Sequence, residues 1–326
     1  MNTSKSDSSG RDLSKPDRAG KMLPQPLRGV IPPMVTPLCA PDELDVAGLE
    51  RLIEHMIKGG VHGIFALGTC GEGPSLSYRL RRELIERTCR QVRGRVPLLV
   101  GITDTAFVES VHMARHAAES GAQAVVVSAP YYFRYGQPEL ADYLAKLATE
   151  LPLPLFLYNM PSMTKTQFEP DTIRRVMNLE RIVGIKDSSG DVAYFEQLLV
   201  LARERADWTV LVGPEELLAR TMKLGGHGGV PGGANFYPRL FVDLYEAVLR
   251  GDEAREAQLQ KQLLTLGQIY QVGPHASAIV KAIKCALSLL GICNERPAEA
   301  FASFLQPERE KIRAVLLESG LSSVRG

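Results

Sequence analysis

Hydrophobic and polar positions along this chain follow two alternating rhythms. Short apolar runs at 30–35, 63–67, 97–100, 124–128, 155–158, 182–186, 209–212 and 228–230 read as buried strands. Between them, near 46–58, 77–92, 106–120, 138–150, 170–178, 191–205, 215–224 and 238–250, apolar residues recur at helical spacing. Leu49, Leu52, Ile53 and Met56 carry that spacing in the first helix. Eight strand–helix units in order, over about 220 residues, predict a parallel sheet. An open doubly wound sheet would want a glycine-rich turn after its first strand, but Thr36-Pro37-Leu38 stands there. The α/β pattern therefore predicts a closed (β/α)8 barrel, the TIM-barrel class. After about residue 252 the strand signals stop. Helical patterns at 252–272, 276–291 and 297–318 follow, punctuated by Gly273-Pro274 and Arg296-Pro297. The expected organisation is a tail over 1–26, the barrel over 27–251, and a helical extension over 252–326. That extension should pack on the barrel or on a neighbouring subunit.

Composition narrows the function classes. The chain has 326 residues, 45% hydrophobic, with a net charge of +1. Near-neutral charge gives no electrostatic reason to expect nucleic acid or an anionic membrane as partner. No apolar run approaches the ~20 residues that span a bilayer. The five cysteines (Cys39, Cys70, Cys89, Cys285, Cys293) are odd in number and lack C-x-x-C spacing. This argues against a disulfide framework or zinc site and for a reducing compartment, with cytoplasm expected. Residues 1–26 are rich in Ser, Lys, Asp and Arg and lack an apolar signal region, so a disordered tail is expected, with Met22 as an alternative start. His112 and His116 stand four apart without further ligands, and no metal is expected.

Barrel active sites lie at the carboxyl ends of the strands. The run R-I-V-G-I-K-D at 181–187 reads as a strand delivering Lys186 into an enclosed pocket. Strand alternation places Ile182, Gly184 and Lys186 on one face and Val183 and Ile185 on the other. Gly184 is expected to leave room for a small molecule beside the amine. Other strand ends carry G-T-C-G-E at 68–72, P-Y-Y at 130–132, Y-N-M-P at 158–161, G-P-E-E at 213–216 and G-G-A-N at 232–235. A neutral lysine adds to a ketone and expels water as an iminium, an electron sink for making or breaking the adjacent carbon–carbon bond. A tyrosine wired to a threonine hydroxyl can move the proton. Free N–H groups of the 68–71 turn suit a carboxylate beside the ketone. A 2-oxo acid such as pyruvate meets all three requirements. Tyr131 is read as a packing residue, Cys70 as a buried inert thiol, and Lys281 and Lys284 as solvated or interfacial.

G-T-C-G-E, P-Y-Y, L-Y-N-M-P and G-I-K-D, in this order at successive strand ends, with L-G-G-H-G at 224–228 and the helix around 280–290, resemble one family. It is the dihydrodipicolinate synthase / N-acetylneuraminate lyase family of Schiff-base class I aldolases, and the likeness runs from Arg28 to the C-terminal helices. The resemblance implies Lys186 as the imine lysine and Tyr158 as the proton-transfer residue. It implies Thr69 as a relay from Tyr158 to Tyr132, which in the synthases reaches into a neighbour's site. The backbone around Thr69, Cys70 and Gly71 would hold the pyruvate carboxylate, and Val230, Glu215, Glu216 and Met163 would complete the substrate-binding set. It further implies pyruvate and an aldehyde as small-molecule partners, no cofactor beyond the covalent imine, and a homotetramer or homodimer.

Departures from the family pattern bear on the substrate. The synthases usually carry an arginine where this chain has Met163, and methionine cannot grip a carboxylate. Glu215 and Glu216 stand where the lyases place acids that bind sugar hydroxyls, though first-turn acids also complement a helix dipole. Lys165 replaces a usual glycine, and Cys70 a hydroxyl residue. Met163 and the Glu215–Glu216 pair, though not the other two departures, favour a lyase or aldolase acting on a 2-oxo-3-deoxy sugar acid or an N-acetylneuraminate-like acid. The alternatives are 4-hydroxy-tetrahydrodipicolinate synthase, a 2-oxo-3-deoxy acid dehydratase, and a catalytically inactive binding paralogue.

Overall fold

Eight short parallel strands form one sheet: β1 (Gly29–Val30), β2 (Ile64–Ala66), β3 (Leu98–Gly101), β4 (Ala124–Ser128), β5 (Leu155–Asn159), β6 (Ile182–Asp187), β7 (Thr209–Val212) and β8 (Gly228–Gly229). Their order is β1-β8-β7-β6-β5-β4-β3-β2. The ring closes between β1 and β2 through Met34 N–H to the Phe65 carbonyl at 2.8 Å, Phe65 N–H to the Pro32 carbonyl at 3.0 Å, and a bridge between Pro33 and Phe65. The first strand is shorter than the expected 30–35 because Pro32 and Pro33 have no N–H to continue a ladder. The computed structural model describes residues 23–321; Met22 and most of the tail expected over 1–26 lie outside the described residues.

Helices α1 (Val46–Lys58), α2 (Tyr78–Val92), α3 (Phe107–Ser120), α4 (Gln137–Glu150), α5 (Pro170–Val176), α6 (Val192–Ala202), α7 (Leu218–Lys223) and α8 (Pro238–Arg250) surround the ring. Leu49, Leu52, Ile53 and Met56 of α1 are all buried, as their spacing predicts, and each contributes roughly 2 kcal/mol by leaving water. Asp45 caps α1 by accepting the Gly48 N–H, and the same carboxylate accepts from Asn294, tying the helix start to the C-terminal region. A two-stranded hairpin, Leu38–Ala40 with Glu43–Leu44, follows β1 and was not signalled by the apolar pattern. Among the described residues, no helix is long and apolar enough to cross a membrane.

Inside the ring lies a separate core that includes Ile31, Phe65, Val126, Phe156, Tyr158 and Val183. Strict alternation fails at the start of β6. Leu155 pairs with Ile182 but Phe156 pairs with Gly184, so the register slips by one residue at Val183. Val183 therefore enters the inner core, while Ile182 joins Ile185 in the outer layer beneath the helices. This corrects the expected faces of the strand. Gly184 has a different role from the one expected. A Cβ there would come within 2.5 Å of the Thr209 carbonyl oxygen and 2.8 Å of the Phe156 ring. The space beside Gly184 is filled by neighbouring protein.

Three further helices, α9 (Glu253–Leu266), α10 (Ala278–Leu289) and α11 (Gln306–Glu318), pack on the chain's own barrel. The last begins later than the 297 expected from the pattern. Residues 297–305 are not helical, and Phe301 in that stretch turns toward the strand ends.

Candidate active site

Register decides which side chains meet. Tyr158 on β5 and Lys186 on β6 are paired residues of adjacent strands, so both side chains point into the ring at one level. Lys186 Nζ lies 4.1 Å from the centroid of the Tyr158 ring and 5.3 Å from that of Phe65. Lys186 is 6% exposed, and no described carboxylate forms an ion pair with it. The next pair outward, Asn159 and Asp187, is locked by an amide-to-carboxylate hydrogen bond of 2.8 Å. Asn159 also accepts the Phe168 N–H, and Ser189 donates to Asp187. This outer clamp holds the ends of both strands together, and burial pushes the Asp187 carboxyl above its ordinary range.

The turn after β2 supplies the second group. Leu67 adopts φ of +59° and Glu72 φ of +54°, left-handed values unfavourable for side chains with a Cβ. Glycines surround Leu67 closely, and a Cβ at Gly73 or Gly101 would lie 2.4 or 2.3 Å from its carbonyl oxygen. The packing leaves room only for glycine there, so it overdetermines the strained backbone. Thr69 consequently projects toward β5, and its Oγ1 is 3.2 Å from the Tyr158 hydroxyl. Thr36 Oγ1 donates to the Gly71 carbonyl at 2.7 Å and holds the far side of the turn.

Above these groups is a cavity of about 340 Å³. Thr69, Tyr158, Met163 and Phe65 line it, together with Tyr131, Thr103, Ser128, Thr164, Glu72 and, from the C-terminal region, Ser277, Val280 and Phe301. Glu72 contributes the one carboxylate among the described lining residues, none of which is an arginine, histidine or lysine; Lys186 is not among them, its amine lying against the Tyr158 and Phe65 rings that are. Thr103 Oγ1 accepts both the Ser128 N–H at 2.9 Å and the Ser128 hydroxyl at 3.3 Å.

The expected site residues divide into two groups. Lys186, Tyr158, Thr69, Cys70, Gly71 and Val230 converge on the inner core or its turn, and Met163 lies on the cavity wall. The Cys70 thiol is pushed up to about 11 by burial, against the opposing Lys186 ammonium, and so stays neutral. Tyr132 does not touch Thr69. It is 80% exposed and packs edge-on against Phe133, because the chain after β4 turns outward there. Glu216 is exposed on the outer surface beside Arg220. Glu215 is buried but is not among the residues that line the cavity. It accepts the Gly233 N–H at 2.8 Å and the Tyr270 hydroxyl at 3.2 Å, and burial raises its carboxyl to about 7.

Other residues escaped the sequence reading. Tyr131 lines the cavity, whereas it was read as packing. Thr103 follows β3, a strand end open to the same rule, yet its motif is bland. Lys284, expected to be solvated or interfacial, is fully buried within the chain. Ser277 and Phe301 come from a region whose helical pattern carries no information about where it folds back. Among the described residues no group of three or more His, Cys, Asp and Glu is placed to hold a metal ion; His112 and His116 instead face Glu109 and Glu86.

Comparison with known proteins agrees with this architecture. The sequence profile described as "Dihydrodipicolinate synthetase family" matches residues 26–318. The chain is 32% identical to a 4-hydroxy-tetrahydrodipicolinate synthase of Phenylobacterium zucineum, over 92% of this chain and 100% of that protein. It is also 32% identical to a probable 2-dehydro-3-deoxy-D-pentonate aldolase of Escherichia coli, over 91% of this chain and 98% of that one. Among solved structures, dihydrodipicolinate synthase from Bacteroides thetaiotaomicron superposes with a TM-score of 0.87 at 51% identity, covering 90% of this chain and 99% of that one. A prophage protein of the same family from Escherichia coli, in complex with pyruvate, gives 0.86 at 31% identity, covering 90% and 99%.

Proposed function

Because this chain belongs to the dihydrodipicolinate synthetase family, we propose that it splits a 2-oxo-3-deoxy sugar acid into pyruvate and an aldehyde through an imine at Lys186. It is a carbon–carbon lyase of the class I aldolase type. The arrangement that carries the reading is the amine of Lys186 lying 4.1 Å from the Tyr158 ring, whose hydroxyl is 3.2 Å from Thr69.

The Lys186 amine adds to the ketone carbon, and loss of water leaves an iminium joined through nitrogen. Tyr158 gives its proton to the hydroxyl that departs as water, and the phenolate so formed takes the proton of the substrate's C4 hydroxyl. The C3–C4 bond then breaks, its electron pair flows into the iminium to give an enamine, and the aldehyde departs. Tyr158 returns the proton to C3, and water hydrolyses the imine to pyruvate and free lysine. Thr69 holds the phenol oxygen in place, and the N–H groups around Thr69, Cys70 and Gly71 receive the carboxylate. No cofactor beyond the covalent imine is needed for these steps. The hydroxyls of Thr103 and Ser277 suit a hydroxylated substrate, and Met163 at the wall offers no charge to a second carboxylate. The exposed Tyr132 and Phe133 suit contact with a second copy of the chain, and this supports a homo-oligomer.

A second reading, condensation of pyruvate with aspartate semialdehyde, draws on the 51% identity to the Bacteroides synthase. Borohydride reduction in the presence of pyruvate tests the shared step, with a stable adduct expected on the peptide containing Lys186. An unmodified peptide would refute both readings. Rates of pyruvate release from 2-oxo-3-deoxy acids, set against pyruvate uptake with aspartate semialdehyde, then rank them.

A further inference from the structure

The C-terminal helix α10 delivers a cation to the end of the Gly68–Glu72 turn. Lys284 is 0% exposed; its Nζ forms an ion pair with Glu72 Oε2 and donates to the Arg296 carbonyl at 2.8 Å. The other carboxylate oxygen, Oε1, accepts the Ala298 N–H at 2.7 Å. Glu72 is 4% exposed, and its own N–H donates to the Thr69 carbonyl at 3.1 Å. Two charges are thus taken from water beside the cavity, joined to the backbone of the turn that carries Thr69.

A buried ion pair is a weak device for stability alone, since well-packed apolar residues of similar volume often serve as well or better. Its position points elsewhere. Among the described lining residues Glu72 is the one carboxylate, and its charge is felt within the turn, where it adds to the burial that raises the Cys70 thiol. A bare anion there would oppose a substrate carboxylate docking on the same turn.

We propose that Lys284 is a charge-balancing, positioning residue: it cancels the Glu72 carboxylate and pins the left-handed end of the turn, so that an anionic 2-oxo acid can bind. The helical extension is then a working part of the site as well as its cover. This inference rests on the reading of the cavity as a 2-oxo acid site.

The test is the pyruvate concentration giving half-maximal borohydride-trapped adduct at Lys186, measured by intact mass alongside the thermal midpoint of each variant. Lys284→Met is expected to raise that concentration roughly tenfold or more, because the unpaired Glu72 anion repels the ligand. Glu72→Gln, which removes the anion, is expected to keep it at or below the wild-type value. The neutral pair Glu72→Gln/Lys284→Met is expected to return it to within about threefold of wild type. Weakening of similar size in both single variants, or a double variant as weak as Lys284→Met, overturns the proposal. Should Lys284→Met fail to fold, Glu72→Gln and the double variant decide alone, and weakening in Glu72→Gln overturns it. Absence of any adduct in the wild type indicts the 2-oxo acid reading itself; adduct without the charge-dependent shift indicts only the role of Lys284.

Discussion

Replacing Tyr158 by phenylalanine isolates the one group on which the proposed proton transfer depends. The ring stays where it is: it packs edge-on against Phe65 at 6.3 Å between centroids and lies 4.1 Å from Lys186 Nζ. The change removes one hydrogen bond, of 3.2 Å, to Thr69 Oγ1. Its cost in stability is about 1 kcal/mol, so the variant is expected to fold. Its cost in rate should be far larger, since a positioned acid–base group contributes about 10²–10⁴-fold, or roughly 3–5 kcal/mol of barrier. Thr69→Val should cost less, about 10–100-fold, because it misplaces the phenol without removing it. If Thr69 acts only through Tyr158, the double variant is no slower than Tyr158→Phe alone. Pyruvate release from a 2-oxo-3-deoxy acid, measured for all four proteins, tests this. A Tyr158→Phe enzyme within about fivefold of wild type, or fully additive losses, would refute the reasoning.

Three other outcomes are expected. Gly184→Ala drives a methyl against the Thr209 carbonyl oxygen at 2.5 Å and should lower stability by about 3 kcal/mol in urea unfolding; an unchanged midpoint would show that β6 can shift. Burial raises the Glu215 carboxyl from its ordinary 4.5 to about 7, so the folded state holds this proton longer than the unfolded chain. Stability from this group falls as pH rises from about 4.5 to 7, by about 3 kcal/mol, and is flat above. Glu215→Gln, which keeps an acceptor for the Gly233 N–H, should flatten that window and be the more stable protein at pH 8; parallel pH profiles would contradict the assignment. Met163→Arg places a guanidinium on the cavity wall and should improve use of aspartate semialdehyde about tenfold or more. No gain would remove residue 163 from the choice of substrate.

The local geometry of several unusual residues was open to inspection in the sequence, and some of it misled. Lys165 adopts φ of +61°, a left-handed turn end that glycine would take without strain. The apolar run of β6 was visible, yet its slip at Val183 was not, because alternation assumes an unbroken ladder. Glu215 and Glu216 are adjacent in sequence and opposite in fate, one buried against Tyr270 and the other at the surface, since the short helix that begins there turns them to different sides. A lysine on an amphipathic helix such as Lys284 is ordinarily solvated, and nothing near it in the chain names Glu72 as its partner.

The sequence by itself determined the number and order of the βα units and the strand ends on which Lys186, Tyr158 and Thr69 sit, and it suggested the imine chemistry proposed for them. Those properties follow from local periodicity and from the rule that barrel sites gather at carboxyl ends. Only the tertiary structure decided that Tyr158 and Lys186 share a level, that Tyr132 faces outward, and that α10 closes the cavity and seats a cation on the turn. The reason is physical: pairing register and the docking of a terminal segment depend on contacts between residues distant in the chain, and no local pattern records them.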